Sequence, residues 1–174
     1  NYILKSFKIA VDLVKKKRII GIINCPVNKE TLFKKKYQGV TEMLSKMSNC
    51  EGKEVMMMYN KRLSVSPITT HIPVNKISRK ITKSLIVNKI KTINDFYKKY
   101  FKTKPYIWVL GLNPHSFTPS FRNEEKKIIL PAINIVKRQG IKISGPISPD
   151  TSFSNFSKEK VNVIVGMYHD QVLT

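Results

Sequence analysis

Three histidines are the only imidazoles in the 174-residue chain, and each follows a predicted strand or extended run at its C-terminal end. His71 follows Leu63 to Thr70, His115 follows Tyr106 to Pro114, and His169 follows Val161 to Tyr168. Open α/β sheets bind ligands outside the carboxyl ends of their strands, so rings delivered there can converge on one site. Three imidazoles suit a divalent metal. Catalytic zinc commonly takes three protein ligands and keeps a position for water or substrate, and cobalt, manganese or iron also accept imidazole nitrogen. A single histidine at a strand end is more often a hydrogen-bonded loop residue than a ligand, and spacing alone leaves both readings open. Two carboxylates lie close in sequence. Asp170 directly follows His169, and Asp150 sits within Ser148-Pro149-Asp150-Thr151. Either suits orienting a ligand imidazole or binding substrate, while Asp150-Thr151 reads equally as a turn or helix cap.

Other chemistries lack their signatures. No GxGxxG, Walker A loop, GxSxG elbow or HExxH helix occurs, and the seven glycines are scattered, so an ordinary Rossmann dinucleotide site is unsupported. No serine lies in a recognisable strand-to-helix elbow, which leaves Ser-His-Asp catalysis without support.

The elements that must position these residues follow from hydrophobic periodicity. Phe7, Val11 and Val14 predict a helix over 2–17, and the β-branched run Ile19 to Ile23 predicts a buried strand. Short helices are predicted at 29–36 and 40–48, then strands at 54–59 and near Leu63 to Ser66. From Thr82, a plausible N-cap, Leu85, Ile86, Ile90, Ile93, Phe96, Tyr97 and Tyr100 recur mostly at three- and four-residue intervals and predict a long helix. Tyr106 to Leu110 is an uninterrupted apolar run of the kind buried on both faces of a sheet. Residues 123–139 predict a helix with Glu124-Glu125 in its first turn, Lys137-Arg138 in its last and Gly140 at the C′ position, with Pro131 as a kink. A strand over Ile141 to Ser144 then leads into Gly145-Pro146, a loop, a brief helix near 156–160 and a strand over Val161 to Met167. Helices alternating with strands imply an α/β architecture with a largely parallel sheet. No internal repeat or convincing linker stands out, so one domain, or tightly joined lobes of one enzyme, is expected.

Composition narrows the classes further. Apolar residues make up 41% and aromatics 9%, too much for a disordered chain despite a net charge of +21. A chain of this length buries roughly 70% of its unfolded surface and needs no disulfide or metal staple to fold. The two cysteines, Cys25 and Cys50, form no CxxC pair, which favours a reducing compartment and a cytoplasmic location. The longest apolar runs fall far below the ~20 residues of a membrane span. The positive charge invites a nucleic-acid reading. Against it stand 27 lysines to 5 arginines, spread along the chain, with groups such as Lys15-Lys16-Lys17-Arg18 and Lys34-Lys35-Lys36 at the ends of helix-like segments. A solvated lysine surface is the expected reading, with no nucleic-acid and no membrane partner. The first residue is Asn1, and Val172-Leu173-Thr174 ends inside what reads as a functional loop, so a fragment is expected.

At these residues the sequence resembles a family. Leu63-Ser64-Val65-Ser66 with Thr69-Thr70-His71-Ile72-Pro73, Gly111-Leu112-Asn113-Pro114-His115, Gly145-Pro146 with Pro149-Asp150-Thr151 and Phe153, and Met167-Tyr168-His169-Asp170-Gln171 are similar to segments of 4-hydroxythreonine-4-phosphate dehydrogenase of pyridoxal phosphate biosynthesis. Cys25-Pro26-Val27-Asn28-Lys29 and Gly39 with Thr41-Glu42 resemble two more, in the same order. Each word is short, but jointly they are specific and cover nearly the whole chain. The resemblance implies a three-layer α/β/α fold of the isocitrate/isopropylmalate-dehydrogenase kind and a homodimer with active sites between subunits. It makes residues 1–174 the central portion of a single dehydrogenase, with N- and C-terminal parts missing.

The resemblance also implies His71, His115 and His169 as ligands of a divalent metal (zinc, or cobalt, magnesium or manganese), Thr41 as substrate-binding, and Asp150 and Asp170 as catalytic acidic positions. It implies NAD or NADP as cofactor and a small phosphorylated amino-hydroxy acid as substrate, oxidised to a β-keto acid that loses carbon dioxide. Three departures stand out. Val40 occupies a position where the family has a histidine, removing a hydrogen-bonding group. Ser116-Phe117-Thr118-Pro119-Ser120-Phe121 replaces the usual glycine and glutamate, and Val172 replaces a glycine, with strain expected if its φ is positive. These departures keep open a related dehydrogenase acting on another diol or a sugar-acid phosphate, and an inactive basic binding remnant.

Overall fold

The computed structural model describes residues 2–33, 36–37, 39–117 and 123–173. Lys34 and Lys35 of the lysine run, Thr118 to Phe121 of the departure after His115, Arg122 and Thr174 lie outside the described residues. The chain divides into two units, Asn1–Glu54 and Val55–Thr174.

The first unit is helical among its described residues. Helix α1, Tyr2–Lys15, buries Phe7 and Val11 on one face, as their four-residue spacing requires. Helix α2, Lys29–Phe33, is entered through Asn28, whose side-chain oxygen accepts from the Thr31 amide at 3.0 Å. Helix α3, Val40–Met47, starts from an extended Gly39. Phe7, Leu32, Phe33 and Met43 form the core of this unit, with Val40 packed against it. Cys25 and Cys50 are both free thiols. The run Ile19 to Ile23, expected as a strand, is not one: Ile20 and Ile23 are almost wholly exposed at 96% and 102%, and no described strand pairs with the run. An apolar β-branched run becomes a strand only where a ladder partner satisfies its backbone.

The second unit is built on a parallel sheet. Strands β1 (Ser64–Thr69), β2 (Ile107–Leu110), β3 (Ile143–Ile147) and β4 (Val163–Tyr168) lie in the order β1-β4-β2-β3, every neighbour parallel. Alternate residues point to opposite faces. Ile107, Val109, Val163 and Val165 belong to a core shared with residues of helices α4 (Ile77–Lys80), α5 (Lys83–Phe96) and α6 (Leu130–Arg138). Trp108, Leu110 and Ile164 belong to a second core on the other face with Val172 of helix α8 (Asp170–Leu173). The result is the expected three-layer α/β/α arrangement. Burying each such aliphatic side chain fully is worth roughly 1.5–3 kcal/mol, which makes the sheet the main source of stability here.

Local chemistry explains most boundaries. Thr82 caps α5, its hydroxyl accepting from the Leu85 amide at 3.2 Å. Beyond Phe96 the helix widens into a π turn, Tyr97–Phe101. The helix expected over 123–139 is present, its first part a π turn, Glu125–Ile129, that runs directly into α6. Pro131 has no N–H for the carbonyl one turn back, so regular α-helix cannot run through it from the N-terminal side. Gly140 closes α6 at φ +79°.

Four further sequence expectations are corrected. Residues 54–59 form no strand, only a single antiparallel bridge between Met58 and Val65. The brief helix lies at Pro149–Asn155 (α7), not near 156–160, because Pro149 is pre-organised for a first helical turn that Asp150 then complements. Gly145 and Pro146 lie inside β3 rather than ending it, and β3 is an outer strand, where proline is tolerated. Val172 sits in α8, buried and outside the left-handed region, so the expected strain is absent. Pro67 occupies the other outer strand. Val65 exchanges both backbone hydrogen bonds with Met58 on the outer side, and Pro67, two residues on, faces the same way, so its missing N–H costs the β1–β4 ladder nothing. No helix among the described residues is long and apolar enough to cross a membrane.

Candidate active site

All four strands deliver a predicted site residue just beyond their carboxyl ends. β1 leads to His71, β2 to His115, β3 to Asp150 and β4 to His169 followed by Asp170. Because the strands are parallel, these ends share one side of the sheet, with β4 between β1 and β2. The Thr69 hydroxyl ties the first pair of ends together by donating to the Met167 carbonyl at 2.7 Å.

The histidines fall into two groups. The rings of His71 and His169 have centroids 6.2 Å apart, and both line a cavity of about 200 Å³ with Thr70, Tyr168 and Asp170. His115 and Asp150 do not line it; they pair with each other, His115 Nδ1 lying 3.1 Å from Asp150 Oδ2. His169 Nδ1 lies 2.7 Å from Asp170 Oδ1. An ionised carboxylate can only accept, so the His169 Nδ1 carries the hydrogen that bonds Asp170, which in a neutral ring leaves the lone pair on Nε2. This is the arrangement in which an outer carboxylate orients a metal-ligating imidazole. The Ser148 hydroxyl donates to Asp150, and that bond first, with the nearby His115 second, holds the Asp150 carboxyl below its ordinary value.

The donor set therefore fits a divalent ion chemically. With zinc–nitrogen bonds of about 2.0–2.1 Å in tetrahedral geometry, two rings on one ion have centres roughly 5.2 Å apart, so the His71–His169 pair, at 6.2 Å, stands wider than shared coordination requires. Among the described residues, no group of three or more His, Cys, Asp or Glu side chains is gathered to hold a metal. Thr41 lies in the first unit, in the first turn of α3.

The turn that carries His115 is held by residues to which sequence reasoning assigned no role here. Glu125, only 2% exposed, accepts from the Leu112 and Asn113 amides, both at 2.9 Å, and from the Asn113 side-chain amide. Gln171 Nε2 donates to the Gly111 carbonyl at 2.7 Å while its Oε1 accepts from the Met167 amide at 2.6 Å. Gly111 is required by contact: a Cβ there would meet Ser116 Oγ at 2.5 Å. His115 and Ser116 both adopt the left-handed region, at φ +55° and +53°. Glu125 reads in sequence as a helix-dipole acid, and nothing local signals its bonds to a segment 12 to 13 residues earlier. Gln171 stood within a quoted motif without a role.

Comparisons with known proteins bear on the family and the fold. The family model described as pyridoxal phosphate biosynthetic protein PdxA matches residues 1–174. The 4-hydroxythreonine-4-phosphate dehydrogenase of Sulfurihydrogenibium sp. is 39% identical over 168 residues, covering 94% of this chain and 51% of the relative. A D-threonate 4-phosphate dehydrogenase of Pectobacterium atrosepticum is 32% identical over 170 residues, covering 96% of this chain and 52% of the relative. The crystal structure of 4-hydroxythreonine-4-phosphate dehydrogenase from Klebsiella pneumoniae superposes with a TM-score of 0.85 at 29% identity, covering 96% of this chain and 51% of that one. The chain thus spans about half the length of the curated relatives it matches.

Proposed function

We propose, from the premise that this chain belongs to the pyridoxal phosphate biosynthetic protein PdxA family, that it forms the central portion of a single metal- and NAD(P)-dependent 4-hydroxythreonine-4-phosphate dehydrogenase. The substrate is 4-phosphooxy-threonine, a small phosphorylated amino-hydroxy acid. Its hydroxyl is oxidised to give a β-keto acid that decarboxylates to 3-amino-2-oxopropyl phosphate, in pyridoxine biosynthesis. The observation that carries this reading is the delivery of His71, His115, Asp150 and His169 from four carboxyl ends of one parallel sheet.

His71, His115 and His169 would hold the divalent ion, zinc or one of cobalt, magnesium and manganese. Such an ion polarises a bound hydroxyl and stabilises the negative charge that develops on its oxygen. This chain's own contribution is orientation. Asp170 fixes the Nδ1 hydrogen of His169 and so aims its Nε2 lone pair, while Asp150 pairs with His115 Nδ1. Thr41 binds substrate. A homodimer with shared active sites allows the imidazole donors to be drawn from two copies. The lysine-rich surface attracts a phosphorylated anion. A cytoplasmic location belongs to the same proposal and agrees with two free thiols.

Val40 and the likeness to the Pectobacterium protein favour a second reading, a related dehydrogenase of sugar-acid phosphates or other diols. Turnover by the full-length protein decides between them. The first reading expects NADH or NADPH formation at least tenfold faster with 4-phosphooxy-threonine than with D-threonate 4-phosphate or unphosphorylated diols, and loss of bound metal and of hydride transfer in His115→Ala. Faster turnover of D-threonate 4-phosphate establishes the second reading. Stoichiometric metal retained by His115→Ala removes that residue from the ligand set, and no turnover of any of these substrates supports a non-catalytic basic protein.

A further inference from the structure

The turn Gly111 to Ser116 is held from two sides, and neither hold is needed to form a strand or a helix. Two consecutive non-glycine residues in the left-handed region persist only where the surroundings over-determine them. Glu125 is one such constraint: a buried carboxylate is costly unless its oxygens are bonded, and here two backbone N–H groups and the Asn113 amide supply those bonds. Gln171 is the other. It lies two residues after His169, and its amide reaches from the Met167 N–H to the carbonyl of Gly111, four residues before His115. One side chain therefore joins the exit of β4 to the exit of β2.

We infer that Glu125 and Gln171 are positioning residues that pin the Gly111–Ser116 turn, and so set where the His115 ring stands relative to His169. The inference rests on the reading of this end of the sheet as the active site. An aliphatic side chain at 171 could fill the space but could not satisfy both the Met167 N–H and the Gly111 carbonyl.

The test uses the full-length protein with four substitutions. Gln171→Glu keeps an acceptor for the Met167 N–H but has no donor for the Gly111 carbonyl. Gln171→Met loses both bonds. Glu125→Gln keeps one carbonyl oxygen for the Leu112 and Asn113 amides, and Glu125→Ala keeps none. Three readouts apply: side-chain nitrogen resonances of His115 and His169, hydrogen exchange of the Leu112 and Asn113 amides, and binding of Co²⁺ followed by its visible absorption band.

In Glu125→Ala both amides are expected to exchange at least tenfold faster, with Glu125→Gln restoring most of the protection. In Gln171→Glu the His115 resonances are expected to shift or split at an unchanged thermal midpoint, with Co²⁺ affinity weakened about tenfold or more and an altered band. Gln171→Met is expected to change the His115 resonances at least as much. Should Glu125→Ala fail to fold, the two Gln171 variants decide. Wild-type His115 resonances in folded Gln171→Glu and Gln171→Met overturn the inference, as does wild-type amide exchange in a folded Glu125→Ala. Responding resonances and amides, in a protein whose wild type binds no Co²⁺, sustain the pin and reject the metal-site reading.

Discussion

Two short apolar runs meet opposite fates. Ile107-Trp108-Val109-Leu110 is buried at every position between two parallel neighbours, while Ile19 to Ile23 has no described strand beside it and leaves Ile20 and Ile23 in solvent. Side-chain composition is the same kind of signal in both. What differs is the partner: β2 has β3 on one side and β4 on the other, and a ladder is what turns a hydrophobic run into a strand.

That contrast can be broken by experiment. Ile164→Ala, in β4 at a position with no exposed surface, is expected to cost about 2–5 kcal/mol in denaturant unfolding, and a cost below 1 kcal/mol would show that the paired region is not the stable one. A smaller effect is expected at Tyr97, whose hydroxyl donates to Ser64 Oγ at 2.8 Å. Its removal in Tyr97→Phe costs about 0.5–1.5 kcal/mol at neutral pH. Burial pushes the Tyr97 phenol above its ordinary value, against the pull of the Ser64 bond. Its contribution is therefore fully present below the unfolded phenol pKa of about 10, and is lost as pH rises through the higher folded value. Stability measured between pH 9 and 12 is expected to fall more steeply for the wild type than for Tyr97→Phe; parallel curves would refute the shift. Least of all, Ile23→Ser is expected to change stability by no more than about 0.5 kcal/mol. A loss matching that of Ile164→Ala would mean that Ile23 is buried in solution and the contrast between the two runs false.

Sequence reading succeeded where a signal is local or strictly periodic. Thr82 as a cap, the apolar stripe of α5, the stop at Gly140 and the uniformly apolar β2 all express interactions within a few residues. The topological rule for parallel sheets likewise carried His71, His115 and His169 to one end of the fold. Reading failed where a distant partner decides. Ile19 to Ile23 has the residues of a strand but no neighbour among the described residues, and Gly145-Pro146 looks like a strand's end until β2 pairs with the residues around it. Glu125 and Gln171 were invisible for the same reason: Glu125 reaches the Leu112 and Asn113 amides only once its turn lies beside the exit of β2, and Gln171 reaches the Gly111 carbonyl only once β2 and β4 are adjacent. The grouping of the rings, His71 with His169 and His115 with Asp150, is likewise set by side-chain geometry that no spacing encodes.

Pro67 bears on more than its own ladder. A foreign segment seeking to lengthen the sheet along β1 would meet, after the single bridge at Val65, a nitrogen with no hydrogen to offer. Among the described residues, no ladder hydrogen bond can therefore be donated at this nitrogen beyond the Val65 bridge, a limit set by covalent structure and indifferent to salt and pH alike.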